Sequence, residues 1–238
     1  LYSFHRMFKS ILDSEKPTHV LVAWDAGKTT FRTEMYADYK GGRSKTPGEF
    51  IEQMPYFNVL LDAWGIPHYR LNQYEADDII GTLAKQGETA GYEVVVLSGD
   101  KDLIQLADNN ITVKITTKGV TELVEYTPEV IFEKYGLTPE QIIDMKGLMG
   151  DSSDNYPGVT KVGEKTAVKL LQEFGSVEGI YEHVDEMKKS KLKENLINDK
   201  ELAFLSKKLA RINVESPLEI TLDDTLRKEQ DVDALMAF

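Results

Sequence analysis

Apolar residues recur along this chain at two periods, and the switch between them divides it. Leu1, Phe4, Met7, Phe8, Ile11 and Leu12 repeat at helical spacing, so Leu1 to Asp13 reads as an amphipathic helix. Thr18 to Trp24, with the run Val20-Leu21-Val22-Ala23-Trp24, reads as a buried strand. Pro47 to Trp64 is helical, with Gly65 as its stop. A short strand over His68 to Leu71 leads to a helix over Glu75 to Ala90, closed by Gly91. Glu93 to Ser98 is valine-rich, as a strand covered on both faces should be. Asp100 to Ala107 is a short helix, and Ile111 to Thr116 with Thr121 to Tyr126 form a hairpin through Lys118-Gly119.

Strand signals then stop. Thr127-Pro128 and Thr138-Pro139 each set an N-cap before proline at the first helical position, and Thr138 to Gln141 fits a capping box. Gly163 to Phe174 and Asp185 to Arg211 are helical. An α/β core is therefore expected over 1–126 and a helical region over 127–238. Alternating strands and helices imply a doubly wound, mostly parallel sheet, whose ligands gather at the carboxyl ends of its strands. Both ends read as cut: helical patterns are already under way at Leu1 and still running at Ala234 to Phe238, as in a piece of a longer protein.

Acidic residues then narrow the chemistry. Glu75-Ala76-Asp77-Asp78, Gly99-Asp100-Lys101-Asp102 and Gly150-Asp151-Ser152-Ser153-Asp154 are three clusters, and Asp25 follows the first strand directly. A lone D-x-D is more often a loop or a helix cap than a metal site. Several clusters at the strand ends of one α/β pattern are another matter, because gathered carboxylates repel and need cations. With no cysteine in the chain and no histidine near them, these acids suit Mg²⁺ or Mn²⁺ rather than zinc. Such pairs serve phosphodiester hydrolysis, and the reading is a metal-dependent nuclease.

A net charge of −12 argues against a nucleic-acid partner, but its distribution argues for one. Lys28, Arg32, Lys40, Arg43 and Lys45 make a basic segment, interleaved with Phe31, Tyr36 and Tyr39, which suits phosphates and unpaired bases. Lys161, Lys165 and Lys169 follow the last acidic cluster. Between them, Asn155 to Ala167 carries Pro157-Gly158 and Gly163 around a short hairpin that opens a helix, a device for presenting backbone N–H groups to phosphate. Taken alone, the basic segment is equally a solvated loop, and the hairpin segment would by default be a plain Pro-Gly turn but for the acids just before it. No signal peptide or membrane-spanning run is present.

In these residues the chain resembles the 5′-nuclease domain of bacterial DNA polymerase I, in the flap endonuclease superfamily. The likeness lies in Trp24-Asp25-Ala26, Thr30-Phe31-Arg32, Tyr39-Lys40-x-x-Arg43, Tyr74 to Leu83, Gly99 to Asp102, Leu148 to Gly158 and Gly163 to Ala167, and covers nearly the whole chain. It implies a PIN-like core and a helix-hairpin-helix (helix-3-turn-helix) motif in the hairpin region 155–174. It implies a two-ion centre of Mg²⁺ or Mn²⁺, with Asp25, Glu75, Asp77, Asp100 and Asp102 nearer one ion and Asp78, Asp151 and Asp154 nearer the other.

The resemblance further implies an arch over about 28–60 that receives a single-stranded 5′ end, with Arg32, Lys40 and Arg43 acting on the phosphate and Tyr36 and Tyr39 on DNA. Gly158, Val159, Lys161, Val162, Gly163, Lys165 and Thr166 would hold duplex backbone, with a monovalent cation such as K⁺. The substrate would be DNA with a 5′ flap, nick or 5′ end, including an RNA–DNA primer. The setting would be the bacterial cytoplasm and nucleoid, with a polymerase domain downstream. Two departures stand out: the family's first strand and its aspartate would lie upstream of Leu1, and Lys161 stands where the family has glycine. Rival readings are a topoisomerase-primase-like domain, a small toxin-type ribonuclease and a catalytically silent junction-binding module. The first two leave the segment after Asp154 unexplained, and the third leaves the acids unexplained.

Overall fold

The computed structural model describes residues 2–42, 48–117 and 122–228. Helix α1 (Tyr2–Glu15) sets Phe8 and Leu12 against Leu60 and Leu61 of α3 (Gly48–Ala63) and the following Trp64 and Ile66. This small core carries β1 (Val22–Ala23), parallel to β2 (His68–Tyr69), with Val22 opposite His68 and Ala23 opposite Tyr69. The strand expected over Thr18 to Trp24 is thus shorter than its apolar run. The run is shared between two partners: Val20 N–H donates to Thr225 O at 2.7 Å, whereas Val22 and Trp24 donate to Pro67 O and Tyr69 O at 3.0 and 2.9 Å.

A second sheet runs β3 (Val94–Ser98), β4 (Ile111–Thr116), β5 (Leu123–Tyr126). The β3–β4 pair is parallel and the β4–β5 pair antiparallel, as the hairpin reading requires; its Lys118-Gly119 connection lies outside the described residues. Burial alternates along β4, so Ile111, Val113 and Ile115 face inward. Each such side chain contributes about 1.5–3 kcal/mol on burial. The core they enter continues from Ala84 and Val96 through Ile142 and Leu148 to Leu171 and Ala203. The α/β and helical halves therefore share apolar packing.

In the connections that follow β1 and β2, α2 (Phe31–Met35) is capped by Thr30 and α4 (Ala76–Thr89) begins at Glu75. The helical half comprises α5 (Pro128–Tyr135), α6 (Pro139–Met149), α7 (Glu164–Phe174), α8 (Val177–His183), α9 (Lys191–Asn198) and α10 (Lys200–Ala210). Thr127 and Thr138 cap α5 and α6 as read from sequence, the latter with Gln141 in a reciprocal box. The single helix expected over Asp185 to Arg211 is broken. Ser190 caps α9 by accepting from Lys193 N–H at 3.1 Å, and Asp199 separates α9 from α10 with its carboxylate turned toward Thr160. Helix α10 lies on α6, fastened where Lys207 Nζ donates to Asp144 at 2.6 Å and to Glu178 at 2.8 Å. No described helix is long and apolar enough to cross a membrane.

Candidate metal centre

Helix α4 begins at the centre of the acidic region because two of the acids cap it. Glu75 stands at the N-cap and Asp78 Oδ2 accepts from Glu75 N–H at 3.1 Å. The positive helix end favours carboxylates here. Asp25, just past β1, accepts from Ala76 N–H at 2.7 Å and so joins the same helix end. Asp100 follows β3 and caps the 3₁₀ turn Lys101–Leu106 by accepting from Asp102 N–H at 2.8 Å. Asp151 Oδ1 accepts from Asp154 N–H at 2.9 Å, which folds the last cluster into one tight loop.

Two of the sequence-predicted residues have a different task. Arg32 is 3% exposed and uses all five of its donors internally. Nε donates to Leu209 O at 3.0 Å, Nη1 to Glu75 at 2.5 Å and Asp78 at 2.8 Å, and Nη2 to Asp78 at 2.8 Å and Arg211 O at 2.7 Å. It has no donor left for a substrate phosphate, which corrects the expectation for it. Asp78 is fully buried, and besides Arg32 it accepts from the N–H groups of Glu75 and Asn213. Both its oxygens are committed, so it is placed as a strut rather than as an open ligand. Burial works against the Glu75 carboxylate, yet Arg32 and Lys40 hold it below its ordinary range.

Tyr39 also departs from its expected role. It is buried, its hydroxyl lies 3.2 Å from both Glu75 oxygens, and its ring stacks on Tyr156 with centroids 6.3 Å apart. It faces protein rather than a nucleic-acid base. Tyr36 is half-buried against the same cluster. Lys40 does reach the acids, pairing its ammonium with Glu75, while its N–H donates to Asp154 O at 2.6 Å. Its backbone is left-handed at φ 58°, a conformation that costs energy for a side-chain-bearing residue and is retained where the surroundings dictate it. Arg43 lies outside the described residues.

The remaining acids form two groups joined through Asp100. Burial, with the charges of Asp100, Glu75 and Asp25, pushes Asp77 up to about 8 despite Lys40. Burial and Asp100 push Asp102 up to about 6, with Lys146 opposing. Asp102, Asp151 and Asp154 each offer an oxygen within 4.8 Å of the others, a spacing at which carboxylates share one cation. Lys146 on α6 stands beside them, 2.5 Å from Asp151 and 3.3 Å from Asp102. Sequence reasoning missed Lys146. The available signal was a lone base ahead of the last cluster, five residues before the Asp151 it contacts.

The loop after Asp154 divides into a buried and an open part. Gly150 (φ 70°) and Gly158 (φ 60°) meet backbone to backbone, and a Cβ on Gly158 would fall 2.2 Å from Gly150 N. Gly158 N–H donates to Ser206 Oγ at 2.9 Å and Val159 N–H to Leu148 O at 2.8 Å, so neither is presented outward, contrary to expectation. Val162 is buried as well. Thr160 is clasped by Asp199, which accepts from its N–H at 2.8 Å and its hydroxyl at 2.6 Å. Lys161, Gly163 and Lys165 are exposed and Thr166 is half-exposed at the start of α7, and a Cβ at Gly163 would meet nothing within 4 Å. Lys161 takes the left-handed backbone (φ 63°) that a glycine would adopt freely.

Comparison with known proteins accords with this geometry. The chain spans about a quarter of the curated relatives it matches. It is 61% identical to the DNA polymerase I of Lactococcus lactis (strain IL1403), over all of this chain and 27% of that protein. It is 60% identical to that of Bacillus subtilis (strain 168), over 93% and 25%. Among solved structures, bacteriophage T5 5′-exonuclease with bound zinc superposes with a TM-score of 0.74 at 27% identity, over 89% of this chain and 81% of that one. A T5 flap endonuclease complex with DNA and metal ions gives 0.74 at 25% identity, over 90% and 81%. The Rad2 catalytic core with DNA, 18% identical, shares the fold at a TM-score of 0.61 over 99% and 77%. Residues 1–136 match the 5′-3′ exonuclease N-terminal resolvase-like domain and residues 137–233 the 5′-3′ exonuclease C-terminal SAM fold, so the chain belongs to the 5′-3′ exonuclease family.

Proposed function

We propose that the chain is a divalent-metal-dependent 5′ nuclease that hydrolyses phosphodiesters at 5′ ends, nicks and 5′ flaps of DNA, including RNA–DNA primers. The observation that carries this reading is the pairing of each acid group with a lysine: Lys40 on Glu75, and Lys146 on Asp102 and Asp151. Ammonium groups there mark where the site calls for positive charge, and an all-carboxylate donor set fits Mg²⁺ or Mn²⁺. Asp25, Glu75, Asp77 and Asp100 would hold one ion and Asp102, Asp151 and Asp154 the other, with Asp78 outside the ligand set. Bound there, the ions supply positive charge to the phosphoryl, attacking and leaving oxygens of an in-line displacement.

The chain's own groups do the rest. Arg32 fixes Glu75 and Asp78 so that the helix end stays aimed, and Lys40, with Arg43 in the same segment, meets the phosphate. Lys161, Gly163, Lys165 and Thr166 receive duplex backbone, as a helix-hairpin-helix with K⁺ at its turn would. The relatives being bacterial DNA polymerases, the setting is the cytoplasm and nucleoid, with a polymerase domain in the same polypeptide.

The test is cleavage of a labelled 5′-flap duplex across a Mg²⁺ or Mn²⁺ titration, with Asp100→Ala and Asp151→Asn as variants. Both variants should bind the duplex and lose most cleavage. Turnover that persists in EDTA, or in Asp100→Ala, sinks the metal reading. Binding without cleavage in the unaltered chain favours a junction-binding module.

A further inference from the structure

Among the described residues, the Tyr156 hydroxyl is buried and has no hydrogen-bond partner. Tyr156 is 4% exposed, and its position is fixed from three sides. Its backbone bridges Asp151, with Asp151 N–H donating to Tyr156 O at 3.0 Å and Tyr156 N–H donating back at 3.1 Å. Its ring stacks on Tyr39 with an interplanar angle of 20°, and it packs with Ile143, Leu209 and Ala210. A buried hydroxyl left without a partner costs about 1–3 kcal/mol, so a site keeps one only where something absent from the bare chain completes it. The phenol is a donor carried two residues from Asp154, on backbone bridged to Asp151, two of the three acids that can share a cation.

We propose that Tyr156 is a positioning residue for the cation held by Asp102, Asp151 and Asp154, its O–H donating to a carboxylate or water oxygen in that ion's shell. The inference rests on the metal reading above. Tyr39 supports the same arrangement from the neighbouring group: the stacked ring places one phenol on Glu75 and leaves the other for the second set of acids. The pair thus spans the two acid groups through a rigid aromatic contact.

The experiment is Mn²⁺ binding followed by electron paramagnetic resonance on the unaltered chain, Tyr156→Phe and Asp151→Asn, with metal-free thermal unfolding in parallel. Tyr156→Phe keeps the ring and its stacking and removes only the hydroxyl. Loss of an outer-shell partner weakens metal affinity by about 10–100-fold, so Tyr156→Phe should bind one class of Mn²⁺ roughly tenfold more weakly while its metal-free Tm stays level or rises. Identical Mn²⁺ titrations for Tyr156→Phe and the unaltered chain overturn the proposal while leaving the metal site standing. Weaker binding accompanied by a lower metal-free Tm also overturns it, because packing would then account for the effect. No Mn²⁺ binding by the unaltered chain, or binding unaffected by Asp151→Asn, removes the metal reading and this inference with it.

Discussion

The two acid groups solve the same electrostatic problem with different cations. Around Glu75 and Asp78 the buried countercharge is Arg32, five-fold bonded and tied to the carbonyls of Leu209 and Arg211, with Lys40 also on Glu75. Around Asp102 and Asp151 it is Lys146, a point charge on a flexible stem with its side chain 19% exposed. A guanidinium fork cannot leave without stranding buried carboxylates, whereas an ammonium can swing away when a better cation arrives. Arg32 makes Asp78 and its bond to Glu75 permanent scaffold, whereas Lys146 marks an exchangeable site. Gathering acids therefore does not by itself identify ligands; the nature of their countercharge sorts them.

Removing the permanent cation should have the largest effect. Arg32→Met is expected to destabilise the metal-free chain by about 3–5 kcal/mol, since it leaves Asp78 buried without a countercharge and Glu75 with Lys40 alone. Urea unfolding in EDTA measures it, and Arg32→Lys should recover only part because the fork is lost. An unchanged midpoint would break the comparison.

Next comes pH. A carboxyl whose pKa is raised on folding contributes stability that is full below its ordinary 3.8 and lost as pH climbs through the folded value. The metal-free Tm should therefore fall as pH rises first through about 6, for Asp102, and then through about 8, for Asp77. Millimolar Mg²⁺ should flatten that slope. A metal-free Tm that climbs from pH 5 to 8 would contradict the crowding of these acids.

Lys146→Met sharpens the contrast from the other side. Losing a displaceable cation should lower metal-free stability by about 1–3 kcal/mol. It should tighten Mn²⁺ binding roughly tenfold, the equivalent of about 1.4 kcal/mol. Calorimetric titration separates the two effects, and weaker Mn²⁺ binding in this variant would show that the lysine is not a competitor. The smallest expected change is Lys161→Gly, which relieves a left-handed backbone and should stabilise by no more than about 1 kcal/mol. A lower Tm would mean that the lysine side chain itself contributes.

How far the sequence disclosed this arrangement depended on distance along the chain. Local rules carried the helix caps at Thr127 and Thr138, the β4–β5 pairing and the clustering of acids at strand ends. The misreadings are long-range. Arg32 looked like a substrate contact because its partner at Leu209 is 177 residues away, and no periodicity registers that bond. Tyr39 sat in a basic, aromatic-rich segment that resembles a nucleic-acid surface, yet it turns inward to a carboxylate 36 residues on. The break at Asp199 was invisible because its cause, Thr160, lies in another element 39 residues away. Lys161 was the opposite case: the resemblance marked it as standing where the family has glycine, and its backbone is left-handed at φ 63°.

The contact of Gly150 with Gly158 gives the molecule a joint with no cushion. Elsewhere in a protein, rotamers absorb small displacements, and a shift at one surface dies out within a few side chains. Here main chain bears directly on main chain, with Asp151 beginning on one side and the exposed turn toward Gly163 leaving from the other. A side chain at either glycine would have to push main chain aside, and Asp151, the residue after Gly150, would move with it.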